Sequence, residues 1–418
     1  MNISSFSQQS NYTLEPWRML GWLFAAQVLV AFVGRSVSPL GVLIGEDLSL
    51  TKAQIGMLPA ALFFGQMAAA IPAGIVADRI DSRKLLLMLS LCLGCGFLLT
   101  TFTSSFVLIL LLIALGGVGY GTIHPTSNKG IIYWFDSKKR GTAMGIKQMG
   151  VTAGSALAAL VLLPVAGTWG WRTAIIGAAV LLIFVGVLSF RFYHEPPSVA
   201  ERNGSMNRGH FLSSLLNMFK HKPLLLVSLG ATGLNGSQLM LNTYIVLFAY
   251  QKLGISLFLS GLLLVISDVS GSFGRIGWGV ISDRLFYGRR IIILMIIALL
   301  TGCVSLLVAF LPADTPFWVM VPVTIMFGFC TSGFNGIWMN AATELVPREQ
   351  AGAASGFSIM IGSWGTVIGP PLFGFIVDQS GTFSAGWIFL SSIMVFVFFT
   401  LLYANMLVKK HGISRQES

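Results

Sequence analysis

The chain has 418 residues, 55% of them hydrophobic and only 10% charged, whereas charged residues occupy about a quarter of a soluble protein. That balance excludes an ordinary water-soluble globular domain. Glycine, with 47 residues, runs well above its usual ~7%. Small residues let helix backbones approach closely in a bilayer, so the composition points to a bundle of membrane helices.

Residues 1–18 form a polar tail with no Lys or Arg before Arg18. It lacks the basic region and cleavage site of a secretory signal. A membrane helix needs about 20 apolar residues, and twelve such runs follow, near 19–43, 53–77, 84–104, 106–134, 141–167, 171–193, 223–250, 256–282, 290–312, 316–343, 352–377 and 385–408. They fall into two sets of six, 19–193 and 223–408, separated by a polar linker over 194–222 and followed by a tail over 409–418. The four cysteines, Cys92, Cys95, Cys303 and Cys330, all lie in apolar runs. Cys92-x-x-Cys95 has neither a second ligand pair nor a nearby His, so it reads as helix packing, and no metal or cofactor is expected.

Orientation follows from Lys and Arg near the span ends. Nineteen of these residues flank one side and three, Lys52, Arg172 and Lys252, the other. Both termini and the linker are therefore predicted to be cytosolic, which also keeps the sequons at Asn2 and Asn11 away from a glycosylating lumen. The same placement accounts for the net charge of +11. Most basic residues set topology and meet anionic lipid headgroups, and no nucleic-acid partner is implied.

The two sets share local sequence. Gly74-Ile-Val-Ala-Asp78-Arg79, with Arg83-Lys84 after it, recurs as Gly279-Val-Ile-Ser-Asp283-Arg284 before Arg289-Arg290, and Gly141-x-x-x-Gly145 recurs as Gly352-x-x-x-Gly356. Such self-similarity reads as a duplicated six-helix unit. Twelve spans, the duplication, the central linker and the Gly-x-x-x-Asp-Arg-x-Gly-x-Arg-Arg loop together resemble the major facilitator superfamily over nearly the whole chain. The resemblance implies an all-α membrane fold of two six-helix bundles related by a pseudo-two-fold axis, acting as a monomer in the cytoplasmic membrane of a bacterium. The chain departs from the loop pattern at Asp81, where Gly is usual, and the second copy is one residue longer before Gly288. Asp78, Arg79, Arg83, Asp283 and Arg284 are the expected gating-loop residues, since an aspartate at a helix end can pair with Arg or accept from a neighbouring helix start.

Removing the flanking bases leaves four inside spans, Arg35, Lys129, Lys147 and Arg275, opposed there only by Asp268. Ionisable groups in a bilayer are costly and usually face a cavity or a partner. Arg275 precedes Asp283 by eight residues, about 12 Å of helix against a half-thickness of about 15 Å, which puts it near the midplane. Arg35 falls at a similar depth. Lys129 and Lys147 lie nearer the cytosol, where Lys129 can extend its ammonium to the interface. Helical spacing adds polar stripes: Tyr120, His124 and Asn128 on the fourth span; Gln148, Thr152 and Ser155 on the fifth; Asn235, Gln238 and Asn242 on the seventh; Asp268, Ser272 and Arg275 on the eighth; and Asn335 one turn before Trp338 on the tenth. Helix-to-helix hydrogen bonding explains such stripes as readily as a binding cavity does, and His124 beside Pro125 also reads as a packed histidine. The arginines are different, because a guanidinium stays charged and its fork suits a carboxylate.

At these positions Arg35 resembles the helix-1 arginine of organophosphate and anion:cation symporter groups, and Arg275 the helix-8 arginine of oxalate/formate exchangers and monocarboxylate transporters. Gly145-Ile-Lys147-Gln148-Met-Gly150-Val151 is similar to a helix-5 signature of permeases for cyanate or sugar-acid-like anions. The function implied is secondary transport of a small organic anion, clamped by Arg35 and Arg275. It would be coupled to protons through Asp268 or His124, or to a counter-anion. Motifs for ATP hydrolysis, metalloprotease or hydrolase chemistry are absent from the sequence. Drug efflux is the alternative, although Gly150-Val151-Thr-Ala-Gly154 lacks the proline of the drug-antiporter helix-5 element. A sensor or lipid-handling bundle is the other class, and the linker and tails are short for a signalling domain.

Overall fold

A computed structural model describes residues 3–196, 218–347 and 350–410, and the side chains of all of these except 3–14, 71, 75, 78, 137 and 138. Most of the linker and of the C-terminal tail lie outside them. Among the described residues twelve helices are long and apolar enough to span a membrane, and no strand occurs. In order they are α1 (Ile3–Gly34 continued by Val37–Asp47), α2 (Lys52–Arg79), α3 (Ser82–Thr100), α4 (Phe106–Trp134), α5 (Ser137–Leu157, a π-turn Ala158–Leu162, then Leu163–Trp169) and α6 (Trp171–Phe192). They continue with α7 (Lys222–Gln251), α8 (Leu257–Leu285), α9 (Arg290–Ala309), α10 (Phe317–Thr331 continued by Asn335–Glu344), α11 (Ala351–Gly362 continued by Trp364–Ser380) and α12 (Phe383–Lys410).

Several predicted spans are broken along their length. Proline cannot donate to the carbonyl four residues back, so Pro39 leaves the Arg35 carbonyl without its helical bond. Arg35 and Ser36 form a turn there, in which Ser38 N donates to Arg35 O at 3.3 Å and Ser36 Oγ to Val33 O at 2.7 Å. In α10 the break covers Ser332, Gly333 and Phe334. In α11 it falls at Ser363, where hydroxyls take up local carbonyls: Ser363 Oγ bonds Ile359 O and Thr366 Oγ1 bonds Ser363 O, both at 2.7 Å. The π-turn of α5 ends two residues before Pro164, which lacks a backbone donor.

Contacts divide the chain into two compact units, Met1–Leu40 with Ala61–Gly204, and Gly41–Ala60 with Ser205–Ser418. Residues 41–60, which the sequence groups with the first set of spans, thus pack in the second unit. There the Asp378 carboxylate accepts from Lys52 N and Ala53 N, each at 2.8 Å, which satisfies orphan donors at the start of α2. The Tyr244 hydroxyl lies 2.8 Å from the Lys52 carbonyl and 2.7 Å from that of Pro370.

Each unit is drawn together by glycines where backbones touch. A Cβ on Gly154 of α5 would strike the Val28 carbonyl of α1, and one on Gly365 of α11 would strike the Thr232 carbonyl of α7. Gly65 of α2 and Gly117 of α4 occupy the same relation to Ala114 and Leu62, and Gly274 of α8 and Gly328 of α10 to Phe329 and Ser267. Both units therefore repeat the same two close crossings, first with fifth helix and second with fourth. Small residues at such contacts maximise packing where lipid offers no hydrophobic drive between helices.

The end of α6 is strapped to the same end of α3 and α4. Glu195 Oε1 accepts from Ser82 N at 3.0 Å and Ser82 Oγ at 2.5 Å, and it pairs with Lys129 at 3.4 Å. Lys129 also donates to Ile80 O at 2.9 Å. Lys129 thus turns to a carboxylate instead of reaching for the interface alone. The buried phenol of Tyr193 is held above its ordinary pKa by burial and by the negative charge of Glu195. Hydrogen bonds to charged groups contribute about 1.5–3 kcal/mol. Glu195→Gln, which keeps the shape and removes the charge, is expected to lower the unfolding midpoint by several degrees in a detergent melt. An unchanged midpoint would reduce the strap to a surface contact.

Candidate functional site

Two cations of the first unit are tied to α4. Arg35, in the α1 break, donates from Nε to the Tyr120 hydroxyl at 3.2 Å. One turn along α4, Lys147 of α5 lies 3.3 Å from His124 Nδ1 and 3.2 Å from Asn128 Oδ1. An ammonium can only donate, so His124 accepts on Nδ1 and carries its proton on Nε2. Lys147 is 3% exposed. The predicted stripe Tyr120, His124, Asn128 therefore holds Arg35 and Lys147 side by side. Gln148 does not join it; its side chain is exposed on another face of α5.

In the second unit three predicted residues converge on Ser332, which the sequence did not single out. Arg275 Nε donates to the Ser332 carbonyl at 3.2 Å, Asn335 Nδ2 to the same oxygen at 3.3 Å, and Gln238 Nε2 to Ser332 Oγ at 2.9 Å. The break in α10 supplies that oxygen, since an unbroken helix would return it to a backbone N–H. Unwound backbone of this kind is tolerated at membrane depth only where other groups satisfy it, and in transporters it accompanies binding sites. Asn235 and the Trp338 ring both lie against Gly362, while Trp338 Nε1 donates to Ser358 Oγ at 2.8 Å. Asn242 is 5% exposed, and its Oδ1 has no hydrogen-bond partner among the described residues. Asp268 is 4% exposed, and its backbone carbonyl accepts from Ser272 Oγ at 3.0 Å.

The repeated loops form local ion pairs. Asp283 Oδ1 meets Arg290 Nη1 at 2.5 Å, and Arg290 Nε meets Glu344 at 3.3 Å. Asp81, standing where the loop usually has Gly, pairs with Arg83 at 2.9 Å and caps α3 through Arg83 N. Arg79 and Arg284 are exposed, and the Asp78 side chain lies outside the described residues. Sequence reasoning missed Ser332, Glu195 and Gln27. Gln27 is wholly buried on α1, with both amide atoms unpartnered, packed beside Gly150 of α5. A glutamine two turns before Arg35 was the available signal.

The architecture defines a polytopic helical membrane protein with polar, cationic groups inside each of two repeated units. The sequence matches the Major Facilitator Superfamily over residues 23–362 and 286–418, and the chain belongs to that superfamily of transporters; it is not an enzyme. It is similar to a hexuronate transporter of Bacillus subtilis, 23% identical, covering 90% of this chain and 91% of that protein. It also resembles a probable sulfoacetate transporter of Cupriavidus necator, 32% identical over 40% of this chain and 39% of that one. A solved bacterial homologue of the human lysosomal transporter Spinster, in an inward-facing and occupied conformation, superposes with a TM-score of 0.78 at 18% identity, covering 94% of this chain and 97% of that one. The structural likeness shows the fold.

Proposed function

We propose that the protein is a secondary transporter that carries a small organic anion, a carboxylate or sugar acid, by alternating access. The reading places it in a bacterial inner membrane with both termini cytosolic, working as a monomer among anionic lipids. One observation carries the reading: each unit contains an arginine oriented through Nε by a protein oxygen, Arg35 of the α1 break by the Tyr120 hydroxyl and Arg275 by the Ser332 carbonyl of the α10 break. A guanidinium fixed in this way is pre-organised for an oxyanion, which lowers the ordering cost of binding. The hexuronate and sulfoacetate in the relatives' names are organic anions of this kind. Asp268, buried within spacing of Arg275 on α8, and His124 are the candidate proton carriers, and exchange against a second anion is the other coupling mode.

Proteoliposome uptake distinguishes these modes. A pH gradient driving accumulation, diminished in Asp268→Asn or His124→Gln, supports symport; uptake that requires internal anion and ignores pH supports exchange; uptake of neither kind for any organic anion contradicts the reading. Arg35→Ala is expected to raise the half-saturating concentration by about tenfold, the loss of one charge-assisted contact. An unaltered saturation curve would make Arg35 a structural residue of the α1 break.

A further inference from the structure

We propose that Asp378 and Tyr244 latch the start of α2 against the ends of α7 and α11, closing the protein at the membrane face opposite its termini, and that this latch opens during transport. The proposal rests on the alternating-access reading above and adds a contact that alternates.

The sequence marks the place. Gly374-Phe-Ile-Val-Asp378, near the end of α11, has the same Gly-x-x-x-Asp spacing as Gly74 to Asp78 near the end of α2 and Gly279 to Asp283 near the end of α8. By the order of spans, α2 and α8 run toward the face of the termini and α11 runs away from it, so the motif recurs at the other face. There both of its fixed residues meet the start of α2. Asp378 gives one carboxylate oxygen to Lys52 N and the other to Ala53 N, which sets negative charge at a helix N-terminus and satisfies two of its free donors. A Cβ on Gly374 would lie 2.3–2.4 Å from the Lys52 carbonyl and the Tyr244 hydroxyl. Gly56, one turn along α2, stands in the same relation to the Tyr244 hydroxyl and the Pro370 carbonyl. Lys52 Nζ donates to Gln251 Oε1 at 2.5 Å, which ties the end of α7 to the same point.

Two features make this contact separable. Residues 41–60 are continuous in sequence with the first set of spans but pack in the second unit, so movement of those spans must break the contacts of this segment. Opening also leaves no buried polar group without a partner, a condition that a contact made and broken in each cycle has to meet. Tyr244 has one O–H facing two carbonyls, Lys52 O and Pro370 O, and keeps Pro370 when α2 departs. Both carbonyls lie inside helices, where the backbone N–H four residues on is the regular donor. The bonds from Lys52 N and Ala53 N to Asp378 are exposed, and water can replace them. Glycine on both sides of the crossing lets the surfaces part without repacking side chains.

Hydrogen–deuterium exchange of the purified full chain, read by mass spectrometry, tests the latch in wild type, Asp378→Asn and Tyr244→Phe. Asparagine keeps the shape of Asp378 and withdraws its charge and one acceptor oxygen. Phenylalanine keeps the ring stacked on Phe373, with centroids 4.5 Å apart, and removes the hydroxyl. In Asp378→Asn, exchange is expected to rise by about tenfold or more, the loss of a hydrogen bond to a charged group. The rise should appear together at the start of α2 and at the ends of α7 and α11, with a fall at the opposite ends of α2 and α8. Tyr244→Phe should show the same pattern at smaller amplitude, and it carries the test if the asparagine variant does not fold. A rise confined to Lys52 and Ala53 would reduce Asp378 to a local helix cap and overturn the latch, as would exchange like wild type in both variants. A joint rise at the three latch segments without the fall at the far ends would keep the latch and remove alternating access. None of these outcomes depends on which anion binds.

Discussion

Arg275→Ala is expected to abolish substrate binding and transport while the protein still inserts in the membrane and elutes as a single species. The expectation follows from how Arg275 is held. Its Nε and the Asn335 amide share the Ser332 carbonyl, and Gln238 fixes the Ser332 hydroxyl, so the guanidinium is aimed by three residues from α7 and α10. Truncating one member of a buried, hydrogen-bonded charge pair costs about 2–5 kcal/mol, a loss of affinity from about thirtyfold to several thousandfold. Arg275→Lys should fail nearly as badly, because an ammonium cannot both anchor on Ser332 and present a planar fork. Radiolabelled uptake in proteoliposomes reads the effect, and normal uptake by the lysine variant would remove the argument from guanidinium geometry.

Gly365→Val is expected to eliminate folded protein. A Cβ at Gly365 meets the Thr232 carbonyl, with Thr232 C at 2.8 Å and Gly236 N at 2.9 Å, so the obstacle is backbone and cannot rotate away. Overpacking a core against movable side chains costs about 1–3 kcal/mol, and here α7 and α11 must separate along the crossing. Gly279→Ala on α8 is the control, since nothing lies within 4 Å of a Cβ there. The measurement is the monodisperse fraction after detergent extraction. Recovery of Gly365→Val at the level of Gly279→Ala would show that the close crossing does not hold the unit together.

Much of this was legible in the sequence, for physical reasons that particular residues illustrate. Apolar run length and charge bias are properties of composition, so the spans emerge with boundaries close to the observed helices, except that α1 begins at Ile3, inside the stretch read as a tail. Arg35, Lys147 and Arg275 stand out because a charge in an apolar run has so few innocent explanations. Helical spacing also placed Tyr120, His124 and Asn128 on one face, where Lys147 and Arg35 meet them.

What the sequence did not disclose is set by three-dimensional neighbours or by backbone defects. Ser332 is an ordinary serine until α10 unwinds around it and its carbonyl becomes available. Pro39 was visible, but its effect on α1 depends on which carbonyl it orphans, and that carbonyl belongs to Arg35. Glu195 sits in a polar stretch that read as linker, and only the folded chain brings it to Ser82 and Lys129. Gln148 marks what spacing leaves open, since spacing alone cannot say which polar residues of a helix turn toward its neighbours, and its side chain is exposed beside the buried Lys147.

Binding of an organic anion in the cationic interior is read from thermal stabilisation of the purified protein. The panel comprises carboxylates, sugar acids, phosphate esters and lipophilic cations, with wild type and Arg275→Ala measured together. A carboxylate or sugar acid is expected to raise the melting midpoint of the wild type and to leave Arg275→Ala unmoved. Stabilisation by lipophilic cations alone, or by an anion equally in both proteins, would contradict it.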